Sequence, residues 1–314
     1  MRKKWFSFLM FSTLALVLIL SLISAGCGPG APKHARFVSS PWSGNLFQTW
    51  LPIVLLQDEL GYTTDFKLAG VAANWAALAA DEGDVVMGVW YPNQLGYKEE
   101  YIEPADGTIV ELGIMYDNAA QGYWVPKAMY DQGIKSIPDL KDPKLAKSVD
   151  IDGNGKGDLL GCTPEEKCAQ QNDECLALYG LDDLYEQKVG EEMLIATQMI
   201  ARMQKDEPVL FYKYVPHIMF LNYPAGEDVM LLEDPQNFWG EPARIVKIAN
   251  KNWAENNEQA ADLISQIEVG LADINWFMAE VQETGDDDAA LEALTRGWLE
   301  EHKAEVDSWV AAVK

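Results

Sequence analysis

The chain is poor in the residues from which catalytic centres are most often built. It has three histidines, His34, His217 and His302, in 314 residues. No nucleophile elbow, H-E-x-x-H pair, phosphate-binding Walker loop or G-x-G-x-x-G turn follows any strand-like segment. It is also poor in cations, with 24 Lys and Arg against 49 Asp and Glu, a formal net charge of −25. A field of that sign repels phosphate backbones and excludes nucleic acid as an expected partner, while keeping the protein soluble. Cysteine is scarce as well. Of Cys27, Cys162, Cys168 and Cys175, the middle pair encloses five residues, a loop short enough to bridge. No standard zinc spacing exists and no histidine is near in sequence, so zinc is the weaker alternative and Cys175 is left over. What the chain does have is apolar content: 48% hydrophobic residues over 314 positions is enough for two domains or two lobes.

The amino terminus reads as an address. Arg2, Lys3 and Lys4 precede an apolar run from Trp5 to Ile23, followed by Ser24-Ala25-Gly26-Cys27. A short basic region, an apolar core and small residues make a secretory signal over residues 1–26. Small residues directly before a Cys resemble the lipobox of bacterial lipoproteins, which makes Cys27 the expected lipidated first residue of the mature chain. The rival is an uncleaved anchor, since the run approaches the ~20 residues that span a bilayer. Either way the folded part lies outside the cytoplasm, at a membrane. Loss of the three cations takes the net charge from −25 to −28. Residues 27–35, with Gly28-Pro29-Gly30-Ala31-Pro32, read as a tether.

Beyond the tether, strand and helix patterns alternate. Strands are expected at 36–40, 65–68, 84–90, 107–116, 121–125, 208–214, 229–232 and 244–249. Helices are expected at 46–59, ended by Gly61, and at 74–80, then from 137, at 190–204, 258–267, 271–281 and 289–313. That order predicts an α/β protein with parallel strand pairs. Met193, Ala196, Ile200 and Met203 share one helical face and are expected in the core. Paired acids such as Glu99-Glu100 read as solvated surface. The informative feature is aromatic residues at strand ends: Trp90-Tyr91-Pro92, Tyr212-Lys213-Tyr214-Val215-Pro216, and Trp42 after the first strand. Ligands of open α/β sheets bind beyond the carboxyl ends of strands, where such rings can form a cage.

Several segments in order carry a specific resemblance over residues 36–314. They are Asn118-Ala119-Ala120-Gln121-Gly122-Tyr123, Leu140-Lys141-Asp142-Pro143-Lys144-Leu145-Ala146-Lys147 and Asp152-Gly153-Asn154-Gly155-Lys156-Gly157-Asp158-Leu159. Gly161-Cys162-Thr163-Pro164, Ala249-Asn250-Lys251-Asn252-Trp253-Ala254-Glu255 and Ala272-Asp273-Ile274-Asn275 complete the set. The chain resembles the ProX-like receptors (OpuAC/ProX) of ABC importers for glycine betaine and proline betaine. The resemblance implies a two-lobed periplasmic-binding-protein fold of type II with two hinge crossings. Lobe 1 is then expected at 36–117 plus 244–314 and lobe 2 at 118–243. It also implies an osmolyte as ligand, an ABC permease with its ATPase as partner, and no cofactor.

In that family a quaternary ammonium sits between three Trp side chains. The group has no N–H to donate, so aromatic faces must recognise it, at about 0.5–2 kcal/mol each when desolvated. Trp90 matches the first Trp, and Tyr214 stands in place of the third. Glu166 replaces the second, inside the loop that the family closes with a disulfide, here Cys162 to Cys168. The resemblance seats the ligand carboxylate on backbone N–H groups at Lys167 and Cys168 plus a His, whose position Gln94 occupies. Glu166 bears on ligand identity. A carboxylate ~4 Å from a cation contributes roughly 4 kcal/mol at an effective dielectric of 20. If Glu166 faces the cleft, the site favours choline, trimethylamine N-oxide or another small solute. If it faces water, Trp42, Tyr91, Tyr116 or Tyr212 completes the cage for a betaine. Two further expectations stand apart. Asp150, Asp152, Asn154 and Asp158 resemble the start of a calcium loop, against the simpler reading of a Gly/Asn/Asp turn held by its own side chains. A secreted, lipid-anchored enzyme on the same fold would have to use His217.

Overall fold

A computed structural model describes residues 33–314. The expected signal segment, Cys27 and the tether up to residue 32 lie outside the described residues; His34 and Ala35, expected as the end of the tether, instead belong to the first strand because Ala35 is buried in the core.

The chain opens with β1 (His34–Ser39), whose Ala35, Phe37 and Val38 are buried. α1 (Ser43–Leu60) follows and buries almost every residue from Asn45 to Leu56, and ends at Gly61 in the left-handed conformation (φ 69°). The N–H groups of Gly61 and Tyr62 close onto the carbonyls of Gln57 and Leu56, a conformation that glycine adopts without the Cβ penalty. β2 (Thr63–Leu68), α2 (Val71–Ala79), β3 (Val85–Tyr91) and α3 (Leu95–Tyr101) complete a parallel unit, joined by the long strand β4 (Ile109–Ala119). The first sheet has the order β2-β1-β3-β10-β4, where β10 (Ala243–Asn250) runs antiparallel to both neighbours.

The chain then leaves for a second sheet. β5 (Gln121–Pro126) begins two residues after β4 ends. α4 (Lys127–Asp131), a 3-10 turn (Ile137–Lys141) and α5 (Pro143–Ser148) lead to β6 (Gly157–Leu160). α6 (Lys167–Leu178), β7 (Tyr185–Lys188), α7 (Glu192–Met203), β8 (Leu210–Tyr214), the short α8 (Met219–Asn222) and β9 (Val229–Leu231) follow. The second sheet has the order β7-β6-β8-β5-β9 and repeats the pattern of the first: parallel pairs around β6, and an antiparallel strand beside β8. After β10, α9 (Lys251–Asn256), α10 (Glu258–Gln266), α11 (Leu271–Thr284), α12 (Asp288–Glu301) and α13 (Lys303–Ala311) pack back on the first sheet. Each sheet buries both faces, as parallel α/β sheets must, giving two apolar cores per sheet.

Three expectations change. The single C-terminal helix is two, broken at His302. The region from 143 to 188 holds helices and short strands that polar composition concealed. The buried face of α7 is Ile195, Ala196 and Met199 rather than the stripe beginning at Met193, which is 64% exposed. Both stripes keep helical spacing. The side on which the second sheet lies selects between them.

Candidate functional site

Four aromatic side chains converge on a cavity of about 320 Å³ between the two sheets: Trp42, Trp90, Tyr116 and Tyr214. Three come from the first sheet and its helices. Trp90 is the sixth residue of β3, and strand alternation turns it into the core shared with α1. Trp42 is the residue at which α1 starts, its carbonyl accepting the N–H groups of Asn45 and Leu46. Tyr116 sits on β4 and is buried, which pushes its phenol well above the usual tyrosine range. Tyr214, the last residue of β8, comes from the second sheet. Its ring meets Trp90 edge-on at 5.1 Å between centroids and lies 6.4 Å from Trp42.

The second-sheet wall is charged. Glu192, the first residue of α7, accepts hydrogen bonds from the Tyr214 hydroxyl (2.9 Å) and from His217 Nε2 (2.8 Å), and lies 3.7 Å from Lys213 Nζ. His217 Nδ1 accepts the Met219 N–H, so Nε2 carries the proton it gives to Glu192. Burial pushes His217 down, and the nearby Lys213 ammonium adds to this, so the ring is neutral near pH 7. Burial pushes the Glu192 carboxyl up, but its hydrogen bonds and Lys213 outweigh that and hold it well below the usual carboxylate range. The buried Lys213 is pushed down by desolvation, partly offset by Glu192 and Glu166. Glu192 is therefore a fixed, ionised carboxylate at the cavity wall.

Glu166 turns toward the first sheet rather than to water. Its Oε1 accepts the Trp42 indole N–H at 3.2 Å, and its Oε2 lies 3.4 Å from Cys168 Sγ. Burial, then the charge of Glu192, pushes its carboxyl up, against the hydrogen bond from Trp42. Cys162 and Cys168 form a disulfide, so the Cys162-Glu166-Cys168 group has no free thiolates for a metal, and Cys175 is a buried free thiol.

The remaining expected site residues lie elsewhere. Gln94 is on the far face of the first sheet, where Oε1 accepts the Trp75 indole N–H at 2.7 Å under a stack of Tyr97 and Tyr101. Tyr91 follows Trp90 and therefore points to that same far face, its hydroxyl donating to Glu111 and Lys98 lying over its ring. Tyr212 is inside the second lobe's core against Trp239 and donates to Gln121. Lys167 is exposed and bonds to Gln170, and neither it nor Cys168 lines the cavity. The calcium expectation meets a lysine. The Asp150, Asp152 and Asp158 oxygens lie together, but Lys188 Nζ sits 2.6 Å from Asp152 and 3.2 Å from Asp158. Asp150 accepts from the N–H groups of Gly153 and Gly155, Asp158 from Ile151, and Asn154 from Lys156. An ammonium and backbone donors thus fill the oxygens that a divalent ion would need, and the donor set fits a self-bonded turn instead.

Sequence reasoning missed Glu192 and Asn45, which both line the cavity. Neither belongs to a motif. Only the register of α7 against β8 and of α1 against β3 brings them there.

Comparisons with known proteins agree on one family. The family model described as the substrate binding domain of ABC-type glycine betaine transport system matches residues 33–301. The chain is 30% identical over 328 residues to the glycine betaine-binding periplasmic protein OusX of Dickeya dadantii, covering 96% of this chain and 97% of that one. It is 30% identical over 323 residues to the glycine betaine/proline betaine-binding periplasmic protein of Escherichia coli, covering 96% of each. Among solved structures it superposes on lactococcal OpuAC in its closed, glycine betaine-liganded conformation with a TM-score of 0.74 at 19% identity, covering 88% of this chain and 99% of that one. That likeness establishes the two-lobed fold.

Proposed function

The chain belongs to the family of substrate-binding domains of ABC-type glycine betaine transport systems, and from that premise we propose which solute it takes and how. It is an extracytoplasmic solute receptor of an ABC importer. Its solute is a quaternary-ammonium osmolyte such as glycine betaine or proline betaine, taken between the two lobes.

One observation carries this reading: Trp42, Trp90, Tyr116 and Tyr214 line one cavity. A tetraalkyl ammonium offers methyl groups bearing a diffuse positive charge and no hydrogen-bond donor. Only ring faces and a carboxylate at a distance complement it, at about 0.5–2 kcal/mol per ring. Glu192 supplies that carboxylate. By accepting the Tyr214 hydroxyl it fixes the ring and adds electron density to it. Because the rings come from both sheets, ligand contact ties the lobes together, the differential contact that a closing receptor needs. His217 spends its only N–H on Glu192 and Lys213 faces the same carboxylate, so neither is poised on the cavity as an acid-base pair, which supports a binding role. Cys27 is the proposed lipid attachment that holds the receptor beside its permease and ATPase.

Calorimetric titration of the purified chain with glycine betaine, proline betaine and choline tests the reading. Saturable binding of a betaine is expected, and silence from all three overturns it. Incorporation of labelled palmitate, abolished by Cys27→Ser, checks the anchor.

A further inference from the structure

The family resemblance places the ligand carboxylate at the start of α6, on Lys167 and Cys168. In this chain that helix start does not open on the cavity. Glu166 occupies the position before it and spans to Trp42 instead. A zwitterion in the cavity therefore needs its anion seat elsewhere.

The cavity offers one. α1 is 18 residues long, has no acidic residue in its first turn and no side chain capping its N-terminus. Its first helical N–H groups to find a backbone acceptor are those of Asn45 and Leu46, both on Trp42 O. Ser43 and Gly44, the first two residues, line the cavity with no backbone acceptor among the described residues. Unsatisfied donors and the positive end of the helix dipole suit an anion there. A second observation is independent of the helix end. Asn45 is 3% exposed and lines the same cavity. Its Oδ1 is taken by Gln48 Nε2 at 3.3 Å, which orients the amide, while Nδ2 has no partner among the described residues. The amide rests in space that Gly88 leaves open: a Cβ at residue 88 would lie 2.3 Å from Asn45 Oδ1 and 2.6 Å from Nδ2. The amide is thus held in place by the backbone of β3 beneath it.

We infer that the first turn of α1, with Ser43 and Gly44 N–H and Asn45 Nδ2, is the seat for the carboxylate of a zwitterionic ligand whose ammonium lies among the rings toward Glu192. The inference rests on the proposed betaine reading and adds an orientation to it. Donors stand at the first-sheet end of the cavity and the carboxylate of Glu192 on its second-sheet wall, with Asp286, after α11, also among the lining residues. A ligand with separated opposite charges matches that polarity, and Asn45 becomes a specificity determinant.

Three variants of the full chain test it by titration with glycine betaine and choline, whose heads are alike and of which only the first has a carboxylate. Asn45→Asp is isosteric, suits the first turn of a helix and keeps the Oδ1 acceptor. It is expected to weaken glycine betaine at least tenfold while choline stays within threefold or tightens. Ser43→Pro and Lys167→Pro form a matched pair. Each removes one N–H at the first position of its helix, where proline is tolerated, after a residue already extended (Trp42 ψ 133°, Glu166 ψ 148°). Ser43→Pro is expected to weaken glycine betaine severalfold and spare choline, and Lys167→Pro to change neither. Equal losses for both ligands in Asn45→Asp, or a betaine loss in Lys167→Pro with Ser43→Pro silent, overturns the inference alone. A wild-type chain that binds neither ligand overturns it together with the reading beneath it. The proline pair decides the matter if Asn45→Asp fails to fold, which a thermal melt reports.

Discussion

The two walls of the cavity are built on different physical terms. The first-sheet wall is chiefly aromatic: Trp42, Trp90 and Tyr116 are extensions of the largest apolar core and are held mainly by packing. The second-sheet wall holds one ring, Tyr214, and fixes it through charge, with Glu192 gathering Tyr214, His217 and Lys213 around one carboxylate. Trimming a packed ring costs its burial and leaves a cavity. Breaking a buried charge set leaves each remaining charge with its own desolvation cost uncompensated. The first wall is therefore expected to act on affinity through its ring faces, and the second on stability and affinity together through its charges.

The largest effect should come from breaking the charged wall. Glu192→Gln leaves Lys213 buried without its carboxylate, and stability measured by urea unfolding should fall by about 3–5 kcal/mol. Adding Lys213→Met should recover most of the loss. If the single variant is as stable as the wild type, the second wall is not held by charge. A smaller loss, about 2 kcal/mol, is expected from Cys162→Ser with Cys168→Ser, because the bridge closes a short loop in the unfolded chain. Since this bridge stands beside Glu166 and outside the cavity, betaine affinity should change far less than stability, and the two readouts can be compared on one preparation.

Acid sharpens the contrast further. His217 is pushed down by burial, so below its ordinary value near 6.5 the unfolded chain takes a proton that the folded chain refuses. Stability is thus lost as pH falls below about 6.5. Glu166, pushed up by burial, acts in the opposite sense as it protonates in the fold. A series of melts from pH 8 to 5 should show a net decline that His217→Asn flattens; an unchanged slope would show that His217 takes no part. The smallest effect is a gain. Tyr214→Trp enlarges the ring face of the second wall and should tighten betaine by about 0.5–1 kcal/mol, a few-fold in Kd. Tyr214→Trp also removes the hydroxyl that bonds to Glu192, so a loss instead of a gain would mean that anchoring outweighs ring area.

The rings of both walls were legible in the sequence and the carboxylate of the second was not, for a reason visible in single residues. Trp90 ends an apolar strand and Trp42 follows one, and both patterns have a period that the chain displays by itself. Which neighbour of such a pair faces the site is also periodic, yet the sequence offered Tyr91 and Trp90 alike, and only the core on each side of β3 separated them. Glu192 shows no such signal. It is one of 49 acids, and it becomes special through the packing of α7 on β8. Gln94 misled for the converse reason: a matching position in a family pattern does not fix where the side chain goes, and here Trp75 claims it. The turn at Asp150–Asp158 carries calcium-like spacing, but Lys188, thirty residues further along the chain from Asp158, fills it. Spacing reports what one segment can do. Partners distant in sequence decide what it does.

Positive charge on a bulky, donor-free head is what the four rings are expected to select. The most direct measurement compares glycine betaine with 3,3-dimethylbutanoate, its carbon isostere, by calorimetric titration at one pH and salt concentration. The two share shape and carboxylate and differ in the charge at the quaternary centre. Binding of glycine betaine at least tenfold tighter than the isostere is the predicted result. Equal affinities would contradict it, because the cavity would then be recognising shape and the carboxylate without the cation.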